Sequence, residues 1–397
     1  MQIPDTVRTL MNTLERAGFE TWAVGGCIRD SLLGLVPHDW DLCTAAAPQD
    51  MLQVFSGRQL ITAGIRHGTV GVITDGGTVE ITAFRTERGY ADHRHPDSVQ
   101  FVRRIEDDLC RRDFTVNAMA YAPARGLLDL FGGRDDLRRG MIRSVGCAPV
   151  RFQEDALRIL RGLRFAARYG FRVDADTAAA MHACAGSLSA VSVQRLFTEL
   201  CGIVTAPSAG RTLAGYCDVL SVILPQLDTG NWHSKCAALD TAVQELPVRL
   251  ALLFPDADSA RAGLRLLGAP GSILKTVPDA LQAASTQKPA DKPGARRLIS
   301  RLGRETAHIC AELLRLRSDG GHAAALIDTV LESEQCFTVT DLAISGSDLL
   351  TLGFSGPAVG QALHALLALV MDEKTPNTRD ALLRAAAGLS SDSGRTV

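Results

Sequence analysis

The chain has 397 residues, of which 46% are hydrophobic and 5% aromatic, and its net charge is −2. This length implies roughly two to four domains. Near-neutrality excludes a chain that binds nucleic acid through overall positive charge, so local charge must be weighed instead. No run of ~18 apolar residues occurs, which argues against a membrane-spanning helix. The ten cysteines form no C-x-x-C pair and read as single thiols of a reducing compartment, not as a zinc site. The first residues, MQIPDTVRTLMNTLERAG, lack the basic-then-apolar pattern of a signal peptide, so the cytoplasm is the expected location.

Residues 4–18 form an amphipathic helix pattern, with Val7, Leu10, Met11 and Leu14 at three- and four-residue steps and Gly18 as its stop. Thr21 to Val24 is a short strand, Arg29 to Gly34 a helical turn, Trp40 to Cys43 a strand and Pro48 to Phe55 a helix. GTVGVITDGGTVEITAF (68–84) is a hairpin, two β-rich runs joined by Asp75-Gly76-Gly77. From about Val150 strand signals nearly vanish. Segments 151–169, 174–185, 192–204, 240–254, 279–286, 294–317, 322–333 and 358–371 read as helices, and 285–297 is the most linker-like stretch. The expected fold is α+β: a small α/β head (1–140), then a helical neck (141–205), body (206–335) and tail (336–397).

The segment VGGCIRDSLLGLVPHDWDLCT (24–44) carries the first chemical signal. On a strand, residues two apart share a face, so Asp39 and Asp41 project together. Two like charges there need a positive group between them, and Mg²⁺ takes one or two carboxylates plus substrate phosphates. Metal ions held this way clamp the attacking and leaving oxygens of a phosphoryl or nucleotidyl transfer. A solvated strand end would show the same Asp-x-Asp, so context decides. Gly25-Gly26 lies between a strand and a helix, where backbone N–H groups can approach a phosphate closely. Arg29 follows and can hold phosphate bidentately. A plain tight turn with a local Arg29–Asp30 ion pair is the ordinary alternative.

The run Gly25-Gly26-x-x-Arg29-Asp30-x-Leu32-Leu33-Gly34, followed by Asp39-x-Asp41, resembles the first motif of the class II polymerase-β-like nucleotidyltransferases. That branch holds the bacterial CCA-adding enzymes and poly(A) polymerases. RRDFTVNAM (111–119) resembles its ribose-binding motif and EDALRILRGLRF (154–165) its nucleotide-selecting motif. DLFGGRDDLRRGMIRSVG (129–146) follows the family pattern, and ISGSDLLTLGFSGPAVGQAL (344–363) is similar to the tail segment of CCA-adding enzymes. The resemblance is close over 20–172, returns at 341–387, and fades between about 205 and 335. It implies a polymerase-β-like head with a helical neck, body and tail, Mg²⁺ as cofactor, and the 3′ end of tRNA, CTP and ATP as partners. No membrane or protein partner is implied.

In RRDFTVN, Arg112 would hold the nucleotide and Asp113 could accept from a ribose hydroxyl, with Asn117 brought near by a helical turn. An ordinary helix start capped by Asp113 would look alike. If 154–165 is helical, Asp155 and Arg158 are i, i+3 neighbours, and Arg161 and Arg164 continue around that flank. A surface ion pair is the bland account. The functional one is base selection: cytosine and adenine both offer an amino donor beside a ring-nitrogen acceptor, which an Asp acceptor and an Arg donor complement. Uracil and guanine reverse that pattern and would leave both groups unpaired, at a cost of a few kcal/mol. The family is understood to choose its nucleotides in this way.

From Arg85 to Arg172 the sequence holds 18 Arg, no Lys and 12 acidic residues, a local excess suited to triphosphate and RNA phosphates. Glu80 could supply a third carboxylate, though alternation does not fix its face. Residues 85–99 read as a mobile loop beside the site, and in the family a loop here helps the switch from C to A addition.

The leading expectation is template-independent addition of C, C and A to tRNA by metal-assisted nucleotidyl transfer. A bacterial poly(A) polymerase is the alternative, weakened by a tail that lacks a basic run; a partial CC- or A-adding enzyme is a third. A catalytically dead RNA-binding protein is disfavoured because both aspartates, Gly25-Gly26, Arg29, Arg112 and Asp155 are all present. A metal-dependent phosphohydrolase is disfavoured because the one His-Asp pair, His38-Asp39, already belongs to the metal motif.

Overall fold

The computed structural model describes residues 1–88, 98–333 and 336–393. Two compact units emerge, Met1–Pro225 and Gln226–Val397.

The first unit begins with helix α1 (Asp5–Arg16), strand β1 (Thr21–Val24), helix α2 (Gly26–Leu32), strand β2 (Asp41–Thr44) and helix α3 (Pro48–Val54). Strands β3 (Leu60–Ile61), β4 (Thr69–Thr74) and β5 (Gly77–Ala83) follow. β4 and β5 form the expected hairpin, with Thr74 opposite Gly77, so Asp75-Gly76 is its two-residue turn. Strands β6 (Arg85–Arg88) and β7 (Ser98–Phe101) pair antiparallel apart from the main sheet. The stretch expected as one loop is therefore bounded by paired strands, and its centre, 89–97, lies outside the described residues. Helix α4 (Ile105–Cys110), strands β8 (Met119–Ala122) and β9 (Gly126–Asp129) and helix α5 (Gly133–Arg139) complete the head. The seven-stranded sheet runs β3-β4-β5-β2-β1-β8-β9.

Strand β10 (Met141–Ile142) then pairs in parallel with β11 (Arg172–Val173). Between them lie helices α6 (Ala148–Glu154) and α7 (Leu157–Tyr169), and after them α8 (Ala175–Cys184), α9 (Val193–Val204), α10 (Ala209–Leu213) and α11 (Cys217–Ile223). The stretch 151–169, expected as one helix, is broken: Asp155 takes an extended conformation (φ −141°, ψ 103°). The core of this unit carries Ile28, Leu42, Ile81, Phe114, Phe152, Ile159 and Leu163, all fully buried or nearly so.

The second unit is helical throughout its described residues. Segment 294–317, expected as one helix, divides into Lys292–Leu302 and Arg304–Arg315 at Gly303, whose φ of 80° is left-handed and stops the first helix. Likewise 240–254 resolves into Trp232–Thr241 and Leu246–Ala251. The helix Pro357–Met371 matches its expected range and buries Leu366 and Leu367 against Leu349 and Leu382. No helix among the described residues is long and apolar enough to cross a membrane.

Candidate active site

Strand β2 is shorter than expected at its start. Its antiparallel partner β1 pairs Thr21 with Thr44 through Val24 with Asp41, and then ends. Gly25 has φ 78°, which turns the chain out of the sheet and into α2, and the ladders of β2 to both β1 and β5 begin at Asp41. Asp41 therefore opens β2, while Asp39 sits in the preceding loop. The Asp39 carboxylate meets His38 Nδ1 at 2.9 Å, with its side chain 81% exposed. The two aspartates are adjacent, but they do not share a strand face.

A different carboxylate does stand beside Asp41. β2 and β5 are parallel, and Asp41 is registered directly with Glu80, so the two side chains point to the same side of the sheet. The alternation rule left the face of Glu80 open; the strand register fixes it. Asp41 keeps an open side to solvent, yet surrounding protein raises its pKa by partial desolvation, and Glu80 and Asp39 raise it further against the opposing pull of Arg112. This crowding is what a divalent cation relieves, and oxygen donors are the ligands a hard cation prefers. Among the described residues no three or more His, Cys, Asp or Glu side chains are grouped so that they could hold a metal ion by themselves.

The Gly25-Gly26 turn lies against two guanidiniums. A Cβ on Gly25 would come 3.1 Å from Arg112 NH1, and one on Gly26 would come 3.4 Å from Arg29 NH2. Arg112 is anchored by Asp108, whose Oδ2 accepts from NH2 at 3.1 Å. Asp108 is fully buried and also holds Arg111, through Nε at 3.0 Å and NH2 at 2.8 Å. Burial raises the Asp108 pKa, but Arg112 and Arg111 outweigh it and the net shift is downward. The Nε of Arg112 is buried and has no hydrogen-bond partner, an unusual state for a cationic donor.

Arg29, expected to hold phosphate, turns inward. It is 5% exposed. Its Nε donates to Asp30 Oδ1 at 2.8 Å and its NH1 to Asn117 Oδ1 at 2.6 Å. Asn117 belongs to a 3₁₀ turn, Thr115–Asn117, and its Nδ2 donates to Asp113 Oδ1 at 3.1 Å, so the expected Asp113–Asn117 proximity is present. Asp113 Oδ2 accepts from Arg161 Nε at 2.9 Å and NH2 at 2.7 Å. Burial alone would raise the Asp113 pKa, but Arg161, with help from Asn117 and Arg158, brings it down to about 2.

The chain break at Asp155 changes the expected pairing downstream. Asp155 Oδ1 accepts from the Leu157 N–H at 3.1 Å, capping the start of α7, and Oδ2 accepts from Arg195 NH2 at 2.8 Å. Arg158 pairs instead with Glu154 at 2.6 Å and donates to the carbonyls of Arg151 and Arg111. Arg164 pairs with Glu199 at 2.6 Å. Thus Asp113 and Arg161 meet directly, Gly25 lies against Arg112 and Gly26 against Arg29, and Asp155 and Arg158 each find another partner. Sequence reasoning missed Arg195, Asp108, Glu154 and Glu199. Glu154 and Asp108 sit four residues before the arginines they hold, so helical spacing carried that signal. Arg195 lies 40 residues beyond Asp155, and no local pattern links them.

Comparison with known proteins decides the family. The family model described as "Poly A polymerase head domain" matches residues 21–143. "Probable RNA and SrmB- binding site of polymerase A" matches 170–230, and "tRNA nucleotidyltransferase domain 2 putative" matches 243–386. The CCA-adding enzyme of Limosilactobacillus fermentum is 34% identical over 97% of both chains. The chain belongs to the CCA-adding enzymes. The CCA-adding enzyme of Latilactobacillus sakei is 35% identical over 95% of this chain and 96% of its own. The crystal structure of the Bacillus stearothermophilus CCA-adding enzyme in complex with CTP superposes over 100% of both chains with a TM-score of 0.82 at 29% identity. The Thermotoga maritima CCA-adding enzyme complexed with tRNA shares the fold at 23% identity, with a TM-score of 0.72 over 98% of this chain and 96% of its own. The head alone is compatible with a poly(A) polymerase; the match over 243–386 and the full-length relatives favour the tRNA enzyme. As a CCA-adding enzyme the chain is a nucleotidyltransferase, and enzymes of this family generally use divalent metal ions.

Proposed function

We propose that this chain adds C, C and A to the 3′ end of tRNA from CTP and ATP, releasing pyrophosphate, with protein groups in place of a nucleic-acid template. The observation that carries this reading is the placement of Asp41 beside Glu80, next to a glycine turn overlain by Arg112. Relatives named CCA-adding enzyme across the full length support the choice of reaction. The division into head (1–140), neck (141–205), body (206–335) and tail (336–397), with body and tail meeting tRNA, belongs to this proposal. So does the cytoplasm as its location, in keeping with ten free cysteines.

Asp39 and Asp41, with substrate phosphates, would hold Mg²⁺, with Glu80 beside Asp41 as a further candidate; the ion would supply Lewis-acid activation of the tRNA 3′-hydroxyl and charge neutralisation at the departing pyrophosphate. The backbone N–H groups of the Gly25-Gly26 turn and the guanidinium of Arg112, whose NH1 faces that turn, seat the triphosphate. Asp113, fixed by Arg161 and Asn117, faces the ribose. Asp155 accepts from the amino group of cytosine or adenine; its two protein bonds leave lone pairs free on the carboxylate. Arg158 donates to the ring nitrogen, which requires it to exchange one of its present acceptors. Arg161 and Arg164 hold this wall through Asp113 and Glu199. Replacing Asp39 or Asp41 by Ala should abolish CMP and AMP incorporation while circular dichroism stays native. Substantial activity in either variant refutes the carboxylate assignment.

A further inference from the structure

Arg29 is too enclosed to be a phosphate ligand, and its surroundings suggest another task. Its guanidinium sits over two aromatic rings: Cζ lies 5.1 Å from the Phe165 centroid and 4.8 Å from that of Tyr169. Its edge is spent on Asp30 and Asn117. The Tyr169 hydroxyl donates to the same Asp30 Oδ1 at 2.8 Å. A simple neighbouring Arg–Asp pair needs neither the two rings nor the third bond. Lys could not substitute, because a point charge has no flat face and no fork.

The two ends of this cluster are the informative part. Arg29 stands one turn into α2, three residues beyond Gly26. Phe165 and Tyr169 lie one turn apart on α7, the helix that starts directly after Asp155 and carries Arg158 and Arg161. A second line joins the same elements through Asn117, Asp113 and Arg161, and Arg161 also lies over Phe165, at 5.5 Å. Any slide of α2 along α7 must disturb the two ring contacts and the hydrogen-bonded fork together.

We propose that Arg29 is a positioning residue: with Asp30 and Tyr169 it latches the phosphate-seating turn to the base-selecting helix, and so sets the fidelity of nucleotide choice. A triphosphate anchored at Gly25-Gly26 then presents its base at one fixed distance from Asp155. When that distance varies, a base with the wrong donor and acceptor order can shift and find partial partners, and discrimination falls before catalysis does. The inference rests on the assignment of Asp155 to base selection.

The test uses the full-length protein and tRNA lacking its terminal CCA, and compares kcat/KM for CMP and UMP incorporation. Arg29→Lys should lower the CTP-over-UTP ratio by about tenfold, with KM for CTP rising more than kcat falls. Tyr169→Phe, which removes one O–H and keeps the ring over the guanidinium, should lower the ratio by about threefold. If both variants slow CTP and UTP by one common factor, as loss of folded protein would, the latch is refuted. Should Arg29→Lys fail to fold, the ratio in Tyr169→Phe decides alone. Asp155→Ala is measured beside them. A collapsed ratio there with unchanged ratios in the latch variants overturns the latch only; an unchanged ratio in Asp155→Ala overturns the base-selection assignment and the latch with it.

Discussion

Asp113→Asn isolates the energetics of the buried site. The substitution keeps shape and removes the negative charge that Arg161 grips at 2.7 and 2.9 Å. Asp113 is 9% exposed, so solvent screens the pair weakly. Its pKa is lowered from an ordinary 3.8 to about 2, which corresponds to about 2 kcal/mol of folding stability at pH 7. The sign follows from the depressed value. The contribution is full above the unfolded pKa and disappears as pH falls through the folded one, with about half gone near pH 3. Asp113→Asn should therefore lose about 2 kcal/mol at pH 7, and its deficit against the native protein should shrink by about 1 kcal/mol at pH 3. Urea titration followed by tryptophan fluorescence suits the measurement, since Trp22 and Trp40 both lie in the first unit and only Trp232 lies in the second. A deficit that is the same at pH 7 and pH 3, or below about 0.5 kcal/mol throughout, would refute the account of Asp113 as a charge held by Arg161.

Other expectations concern the site. Gly25→Ala places a Cβ 3.1 Å from Arg112 NH1 at a φ of +78°; nucleotide incorporation should fall by about a hundredfold or more, and activity within a few-fold of native would contradict the close approach. Arg195→Ala should leave Asp155 tethered only by the Leu157 N–H, so selection against UTP should weaken by about tenfold in single-nucleotide incorporation, and an unchanged selection would show that Arg195 does not hold the carboxylate. Glu80→Gln relieves the repulsion on Asp41 and removes a candidate ligand. The concentration of Mg²⁺ giving half-maximal incorporation should rise by about tenfold, and an unchanged Mg²⁺ dependence would exclude Glu80 from the ion.

Local signals in the sequence found the local features. The Asp-Gly-Gly turn gave the β4–β5 hairpin, and the glycine pair gave the strand-to-helix turn, because each depends on a few adjacent residues. Asp39 falls outside the strand because the ladders of β2 to β1 and to β5 both begin at Asp41, and residues 39–41 alone do not say where pairing starts. The break at Asp155 was hidden for a similar reason: the Leu and Arg spacing on either side fits one helix, and only the bond to Arg195 and the cap on Leu157 account for the interruption. Arg29 shows the limit most clearly. Its place in the motif suggested a phosphate ligand, while Asn117, Phe165 and Tyr169, which enclose it, lie 88 to 140 residues away. Glu80 is the opposite case, since its face became definite once β2 and β5 were seen to be parallel and in register.

The order in which nucleotides are added distinguishes this enzyme from a poly(A) polymerase or a partial CC-adding enzyme. Purified protein is incubated with tRNA lacking its terminal CCA and with labelled CTP and ATP, singly and together. CTP alone should add two residues and stop, and the two nucleotides together should give three additions ending in A. A long ladder of A, or arrest after CC when ATP is present, would contradict the account.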